Sequence, residues 1–133
     1  MRRVRLGEDW IDLGLGGFIE TRVDYQQYAP DEYGKQKVPT LRNVNKRPYD
    51  GFVKAYGHNG YFKSLKEIVH FYNTRDVLPT CPEGGGNPGV DCWPPPEVPN
   101  NVNTAELGDL GLSEADEWAL VEFLKTLDDG YMP

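Results

Sequence analysis

The segment from Thr74 to Leu112 contains seven prolines, all between Pro79 and Pro99, and it limits what this chain can fold into. Proline lacks a backbone N–H and fixes φ, so a regular helix cannot run through the segment. Because a structureless connection of this length is uncommon inside a compact domain, we expect it to be functional, draped over a surface, or disordered. Trp93 and the run Pro94-Pro95-Pro96 favour an ordered polyproline stretch against the body of the protein.

Three helices are predicted around this segment, near residues 18–28, 64–73 and 113–128, so the fold class is all-α with extensive irregular loops. Gly14, Gly16 and Gly17 place the chain before residue 18 in a loop or turn. Val38 to Val44 is predicted to be short and extended, since Pro39 disfavours a helical Val38.

The second helix carries the clearest signals. Ser64 and Glu67 form a capping box, in which each side chain accepts a hydrogen bond from a backbone N–H at the helix start. The apolar residues that follow have helical spacing and put Tyr72 on the buried face. The third helix begins at Ser113 and ends at Gly130. Its predicted core face consists of Leu120, Phe123, Leu124 and Leu127.

Length and charge narrow the function classes. At 133 residues the chain is expected to be one domain, residues 1–133. A formal charge of -7 argues against a nucleic-acid partner, and no apolar run is long enough to span a membrane. The start of the chain has no signal-peptide pattern. Either the protein stays in the cytoplasm, or a signal was removed with an upstream part; we expect the second, a fragment of a periplasmic protein.

Cys81 and Cys92 flank a glycine-rich loop, and their spacing fits neither C-x-x-C nor haem attachment. A disulfide between them is the favoured hypothesis outside the cytoplasm, and two free thiols are the alternative in a reducing compartment. His58 is interpreted as a turn histidine, and His70 as a solvated or rim histidine beside the apolar stripe. No cysteine or carboxylate cluster adjoins either histidine in the sequence, so a zinc site is not expected.

The acidic residues near the last helix do not have the spacing of a calcium-binding EF-hand loop. We assign them to helix-terminus electrostatics and solvation. They are Glu114, Asp116, Glu117, Asp128 and Asp129.

Several motifs occur in a characteristic order. Val38-Pro39-Thr40-Leu41-Arg42-Asn43-Val44 is followed by the turn Tyr56-Gly57-His58-Asn59-Gly60 and the Ser64 helix. Trp93-Pro94-Pro95-Pro96-Glu97-Val98-Pro99 and Leu107-Gly108-Asp109-Leu110-Gly111-Leu112 come next. In this order, over roughly residues 10–131, the chain resembles the C-terminal portion of the di-haem cytochrome c peroxidase and MauG-like family.

The resemblance implies part of a cytochrome c-like domain, from a protein with two covalently attached haems and a calcium ion. Tyr72 matches the position of an axial haem ligand, which is Tyr in MauG-like members. His58 matches a histidine near the haem edge, and Arg42 an arginine that faces a haem propionate. The backbone carbonyls of Val53 and Ala55 correspond to the calcium-ligating stretch.

The chain departs from the family at one decisive point, because it contains no C-x-x-C-H motif. We therefore expect no cofactor held by this chain alone and assign no catalytic residue, although the parent family consists of peroxidases. The first hypothesis is a haem-free remnant that self-associates or binds a ligand through its former haem-facing surface. A second is a peroxidase or oxidase component that uses non-covalent haem or a separate haem-bearing chain. A third is a small metal-binding or stress-protective module.

Expected partners are a second copy or the missing N-terminal haem domain. The self-association surface is predicted around Tyr56, Phe62, Leu65 and Tyr72.

Overall fold

The computed structural model describes residues 10–131. It contains α-helices and no β-strand within that range, which confirms the all-α class with extensive loops. The chain forms two compact units. The smaller unit comprises residues 10–37 and 95–102, and the larger unit comprises residues 38–94 and 103–131. None of the helices described is long and apolar enough to cross a membrane.

The smaller unit contains α1 (Gly14–Glu20), a 3-10 turn (Gln26–Tyr28) and α2 (Ala29–Glu32). The predicted helix over residues 18–28 is therefore wrong, because the helix uses the glycines and stops before residue 21. Gly16 is buried, and a Cβ there would lie 2.5 Å from the Tyr33 backbone nitrogen. Close packing of backbone on backbone thus overrides the low helix propensity of glycine.

Residues 95–102 are held to this unit by hydrogen bonds. Asn101 Nδ2 donates to the carbonyl oxygens of Pro30 and Tyr33, at 3.0 and 3.1 Å. The prolines Pro94–Pro96 are exposed, so they do not pack as the sequence analysis expected.

The larger unit is built on α3 (Leu65–Thr74), which begins with the predicted capping box of Ser64 and Glu67. Its buried stripe is Leu65, Val69 and Asn73, at positions i, i+4 and i+8. Tyr72 lies about 100° around the helix from Asn73 and is 38% exposed, so its predicted place on the buried face is wrong. The polar Asn73 ends the stripe, which the apolar pattern alone does not reveal.

The second long helix of the larger unit is α4 (Glu114–Lys125), capped by Ser113 and Asp116. Val121 is buried in the core, whereas Leu120 and Phe123 of the predicted core face are exposed. The core of this unit consists of Tyr56, Phe62, Leu65, Val69, Trp93 and Val121.

The helix α4 ends at Lys125 rather than at Gly130, because the residues that follow it are hydrogen-bonded to the turn at Asn43. The backbone N–H of Asn43 donates to the Leu127 carbonyl at 2.7 Å, and the Asp129 N–H donates to Asn43 Oδ1 at 3.0 Å. Asn43 has a φ of +59°, a left-handed conformation that asparagine tolerates better than most residues. The segment around it is a turn instead of the extended stretch expected from Pro39.

The proline-rich segment is ordered around Trp93 in the larger unit. A disulfide joins Cys81 and Cys92, whose Cα atoms are 4.8 Å apart. Trp93 is buried, its backbone N–H donates to the Pro79 carbonyl at 2.9 Å, and its indole Nε1 donates to Thr74 Oγ1 at 3.0 Å. The loop closed by the disulfide is therefore held close to the core.

Replacing Cys81 and Cys92 together by alanine should lower the free energy of unfolding by about 2–3 kcal/mol, because the cross-link restricts the unfolded chain. Urea unfolding at neutral pH measures the change. Reductant should destabilise the wild-type chain by a similar amount and leave the double variant unchanged. Equal stability of the oxidised wild type and the double variant would contradict the prediction.

Candidate functional site

Tyr72 lies in the last turn of α3 with its side chain reaching the surface. Its phenol oxygen has no hydrogen-bond partner among residues 10–131, and its ring centroid is 5.9 Å from that of Phe71. A phenol oxygen without a protein partner is available as a donor, an acceptor or, when deprotonated, a metal ligand. This is the residue for which the sequence predicts haem ligation.

A short segment, Leu107–Leu112, crosses the end of α3, and we call it the strap. The Gly108 N–H donates to the Tyr72 carbonyl at 2.7 Å, and the Leu110 N–H donates to the Asn73 carbonyl at 3.3 Å. Gly108 has a φ of +108°, and a Cβ there would lie 2.1 Å from Asp76 Oδ2. Only glycine therefore fits at this point of the strap.

The surface near the ends of α3 and α4 carries large apolar side chains that the unit does not bury. No large side chain in the described part of the chain is completely buried. Exposed apolar side chains are the material from which a site for a ligand or partner is built. The exposed residues of the strap and of these two helices are Tyr72, Leu110, Trp118, Leu120 and Phe123.

Behind Tyr72, α3 and α4 share a polar cluster centred on Glu117. This carboxylate is 3% exposed and accepts hydrogen bonds from three α3 side chains. Lys66 Nζ contacts Oε2, His70 Nδ1 lies 2.8 Å from Oε1, and Asn73 Nδ2 lies 2.6 Å from Oε1. Burial alone would raise the pKa of Glu117, but the bonds from Lys66, Asn73 and His70 outweigh it and lower the pKa.

The sequence analysis missed this cluster, because it interpreted His70 and Glu117 as solvated. A signal existed on one helix: Lys66, His70 and Asn73 lie at i, i+4 and i+7 and so share a face. Nothing in the sequence identified Glu117 as the group that this face contacts.

An open cleft of about 770 Å³ lies beside the cluster in the larger unit. One wall is formed by α3 and α4, and another by Pro88, Gly89 and Val90 of the disulfide loop. His70 joins the two walls, since its Nε2 lies 3.1 Å from the Gly89 carbonyl oxygen. The acidic and basic groups of the cluster therefore pair with one another at the wall of the cleft.

Arg42 belongs to a different group of charges in the larger unit. Its Nη2 lies 2.6 Å from Asp129 Oδ2, and Lys46 Nζ lies 3.4 Å from both Asp128 and Asp129. Hydrogen bonds from Arg42 and Asn43 hold the pKa of Asp129 far below its ordinary value. The guanidinium, predicted to face a haem propionate, is thus paired with a carboxylate of the chain itself. Its propionate role stays a prediction.

The other predicted site residues lie away from these contacts. His58 is exposed in the turn before Gly60, and Val53 and Ala55 are exposed in the segment before Tyr56. Their assignments to a haem edge and to calcium remain predictions. Within residues 10–131, no group of three or more His, Cys, Asp or Glu side chains is placed to hold a metal ion.

An all-α fold with a tyrosine at the end of a capped helix is compatible with a fragment of a cytochrome c peroxidase-like domain. Over 126 residues, or 93% of its length, the chain is 37% identical to the methylamine utilization protein MauG of Paracoccus denitrificans (strain Pd 1222). It is 28% identical over 130 residues to the cytochrome-c peroxidase IdrP2 of Denitromonas iodatirespirans, and 34% identical over 103 residues to IdrP1 of that organism.

The chain belongs to the family of MauG and these cytochrome-c peroxidases, so the resemblance seen in the sequence is confirmed. It spans 29% of the length of MauG and 27% of that of IdrP2, less than a third of either relative. No model of an established protein family matches the chain.

Substituting Glu117 by glutamine should lower the free energy of unfolding by about 3 kcal/mol, as breaking a buried ion pair does. Glutamine also turns an NH₂ group toward at least one of the donors that now contact the carboxylate. The same substitution at Glu122, exposed on α4, is the control and should change stability by less than about 0.5 kcal/mol. Urea unfolding of both variants measures the difference, and equal effects would contradict the buried cluster.

Asp129→Asn should destabilise the chain at neutral pH but have less effect in acid. The folded-state pKa of Asp129 is lowered, so its contribution is present above the unfolded value of about 3.9 and is lost as pH falls through the folded pKa. The gap in urea midpoint between wild type and variant should therefore be constant from pH 7 to 5 and shrink below about pH 4. Asp50→Asn, at an exposed position, is the control. A gap that does not change with pH would refute the linkage.

Proposed function

We propose that this chain forms one wall of a haem pocket in a MauG-like oxidoreductase and that Tyr72 would bind the haem iron. The observation that carries the proposal is the exposed phenol of Tyr72, which has no hydrogen-bond partner among residues 10–131. The family resemblance of the sequence implies an axial haem ligand at this position, which is Tyr in MauG-like members.

The described residues fit one side of a haem. Tyr72 would offer an oxygen ligand, and the exposed Leu110, whose N–H donates to the Asn73 carbonyl, would offer apolar surface next to it. Because the 133 residues contain no C-x-x-C-H, covalent attachment of the haem would have to come from another segment or chain. When bound, the haem iron supplies the redox chemistry that amino-acid side chains do not carry by themselves.

The role of the chain itself in this proposal is to position and shield the cofactor. The strap fixes the end of α3, because the N–H groups of Gly108 and Leu110 donate to the carbonyls of Tyr72 and Asn73. The phenol of Tyr72 is therefore carried on a backbone that is hydrogen-bonded to the strap. We assign no catalytic residue to this chain and propose that it is non-catalytic alone. Peroxide reduction and protein oxidation are proposed for the assembled protein.

The disulfide supports an oxidising compartment for this function, since structural disulfides persist outside the cytoplasm. We therefore propose the periplasm.

Contact with a second copy or a haem-bearing domain would use a surface different from the one predicted. Tyr56, Phe62 and Leu65 are buried within the larger unit and are not available for it. The exposed residues Tyr72, Leu110 and Phe123 remain for such a contact.

Hemin titration of the purified chain tests the proposal. We expect a Soret band with the visible charge-transfer absorption of tyrosinate-ligated ferric haem. Tyr72→Phe should abolish that absorption and weaken binding about tenfold or more, equivalent to ~1.4 kcal/mol. Tyr49→Phe, at another exposed tyrosine, should leave both unchanged. A hemin spectrum that the wild-type chain does not alter, or that Tyr72→Phe does not change, would overturn the proposal.

A further inference from the structure

The side chain of Asn73 makes two hydrogen bonds to the backbone of one strap residue, Leu112. Its Oδ1 accepts a hydrogen bond from the Leu112 N–H, and its Nδ2 donates to the Leu112 carbonyl, each at 3.0 Å. This double contact requires one orientation of the amide, because exchanging its oxygen and nitrogen would place donor against donor and acceptor against acceptor.

Glu117 favours the same orientation of the Asn73 amide. Its Oε1 lies 2.6 Å from Asn73 Nδ2, and a carboxylate can only accept, so the NH₂ group must face it. The carboxylate is in turn held by Lys66 and His70. The buried ion cluster therefore acts on the strap through a single amide.

The strap is also hydrogen-bonded to the end of α3, the helix that carries Tyr72. The Gly108 and Leu110 N–H groups satisfy the carbonyls of Tyr72 and Asn73, which belong to the last helical turn and have no partner within the helix. The Asp76 N–H donates back to the Gly108 carbonyl at 2.8 Å. The turn that carries Tyr72 is thus bonded to the strap on both sides of Gly108.

We infer that Glu117 and Asn73 are positioning residues for Tyr72, which set the direction of its phenol through the strap without contacting the ligand. This inference rests on the proposed function for the identity of that ligand. The control of the end of α3 by Glu117 and Asn73 does not depend on it.

Amide hydrogen exchange of the chain without haem tests that control. In Glu117→Gln and in Asn73→Ala, exchange at Gly108, Leu110 and Leu112 should accelerate about tenfold or more beyond any global change. The amides of Phe62 and Trp93, bonded elsewhere in the larger unit, report the global change. Glu122→Gln should match the wild type. Uniform acceleration at all these amides, or none at the strap, would overturn the inference. Asn73→Ala decides the question if Glu117→Gln does not fold.

The hemin spectrum tests the positioning of Tyr72 itself. Both variants should still bind hemin but lose or shift the tyrosinate absorption, while Glu122→Gln retains it. Spectra identical to wild type in both variants would overturn the positioning role. If the wild-type chain shows no tyrosinate absorption, the proposed function and the positioning of an iron ligand both fail. The exchange result then still decides whether Glu117 and Asn73 hold the end of α3.

Discussion

The buried carboxylate of Glu117 is the interaction on which the larger unit depends. A charge removed from water is tolerable only when paired and hydrogen-bonded, and here one face of α3 provides an ammonium, an imidazole and an amide. The contacts fix α4 against α3 and reach the disulfide loop through His70. The contact between Glu117 and Asn73 also orients the Asn73 amide, which is hydrogen-bonded to Leu112 of the strap. Removing the carboxylate would leave three polar partners without their acceptor in a confined space.

The two sides of α3 serve different purposes. One side is closed by the core and the Glu117 cluster, whereas Tyr72, at the end of the helix, is exposed. Within residues 10–131 the buried carboxylate is fully paired, while the Tyr72 phenol has no hydrogen-bond partner. Haem is the group that we propose for the Tyr72 site, and the 133 residues contain no C-x-x-C-H motif that would attach it covalently.

Local signals in the sequence predicted the parts of the fold that depend on local chemistry. Each capping box, at Ser64 and at Ser113, pairs a serine with an acidic residue three positions later, and both helix starts are confirmed. Elements determined by distant contacts were missed. The glycines of α1 form a helix because backbone packs on them, and α4 stops early because Asn43 captures the residues after it.

In the candidate site too, the sequence predicted some features and missed others. The family motif identified Tyr72, but not its exposure, since the buried stripe ends in polar Asn73. The partner of His70 could not be read from the sequence, because Glu117 is 47 residues away and looks like an ordinary residue of a helix start. The residue type alone does not show whether a charged side chain is paired in the interior or exposed to solvent. Only the packing of α3 on α4 distinguishes them.

The capping boxes have one more consequence. At each helix start, two backbone N–H groups are bonded by side chains of that same turn, those of Ser64 and Glu67 in α3 and of Ser113 and Asp116 in α4. The starts of α3 and α4 therefore need no contact from outside their own first turns to stay capped.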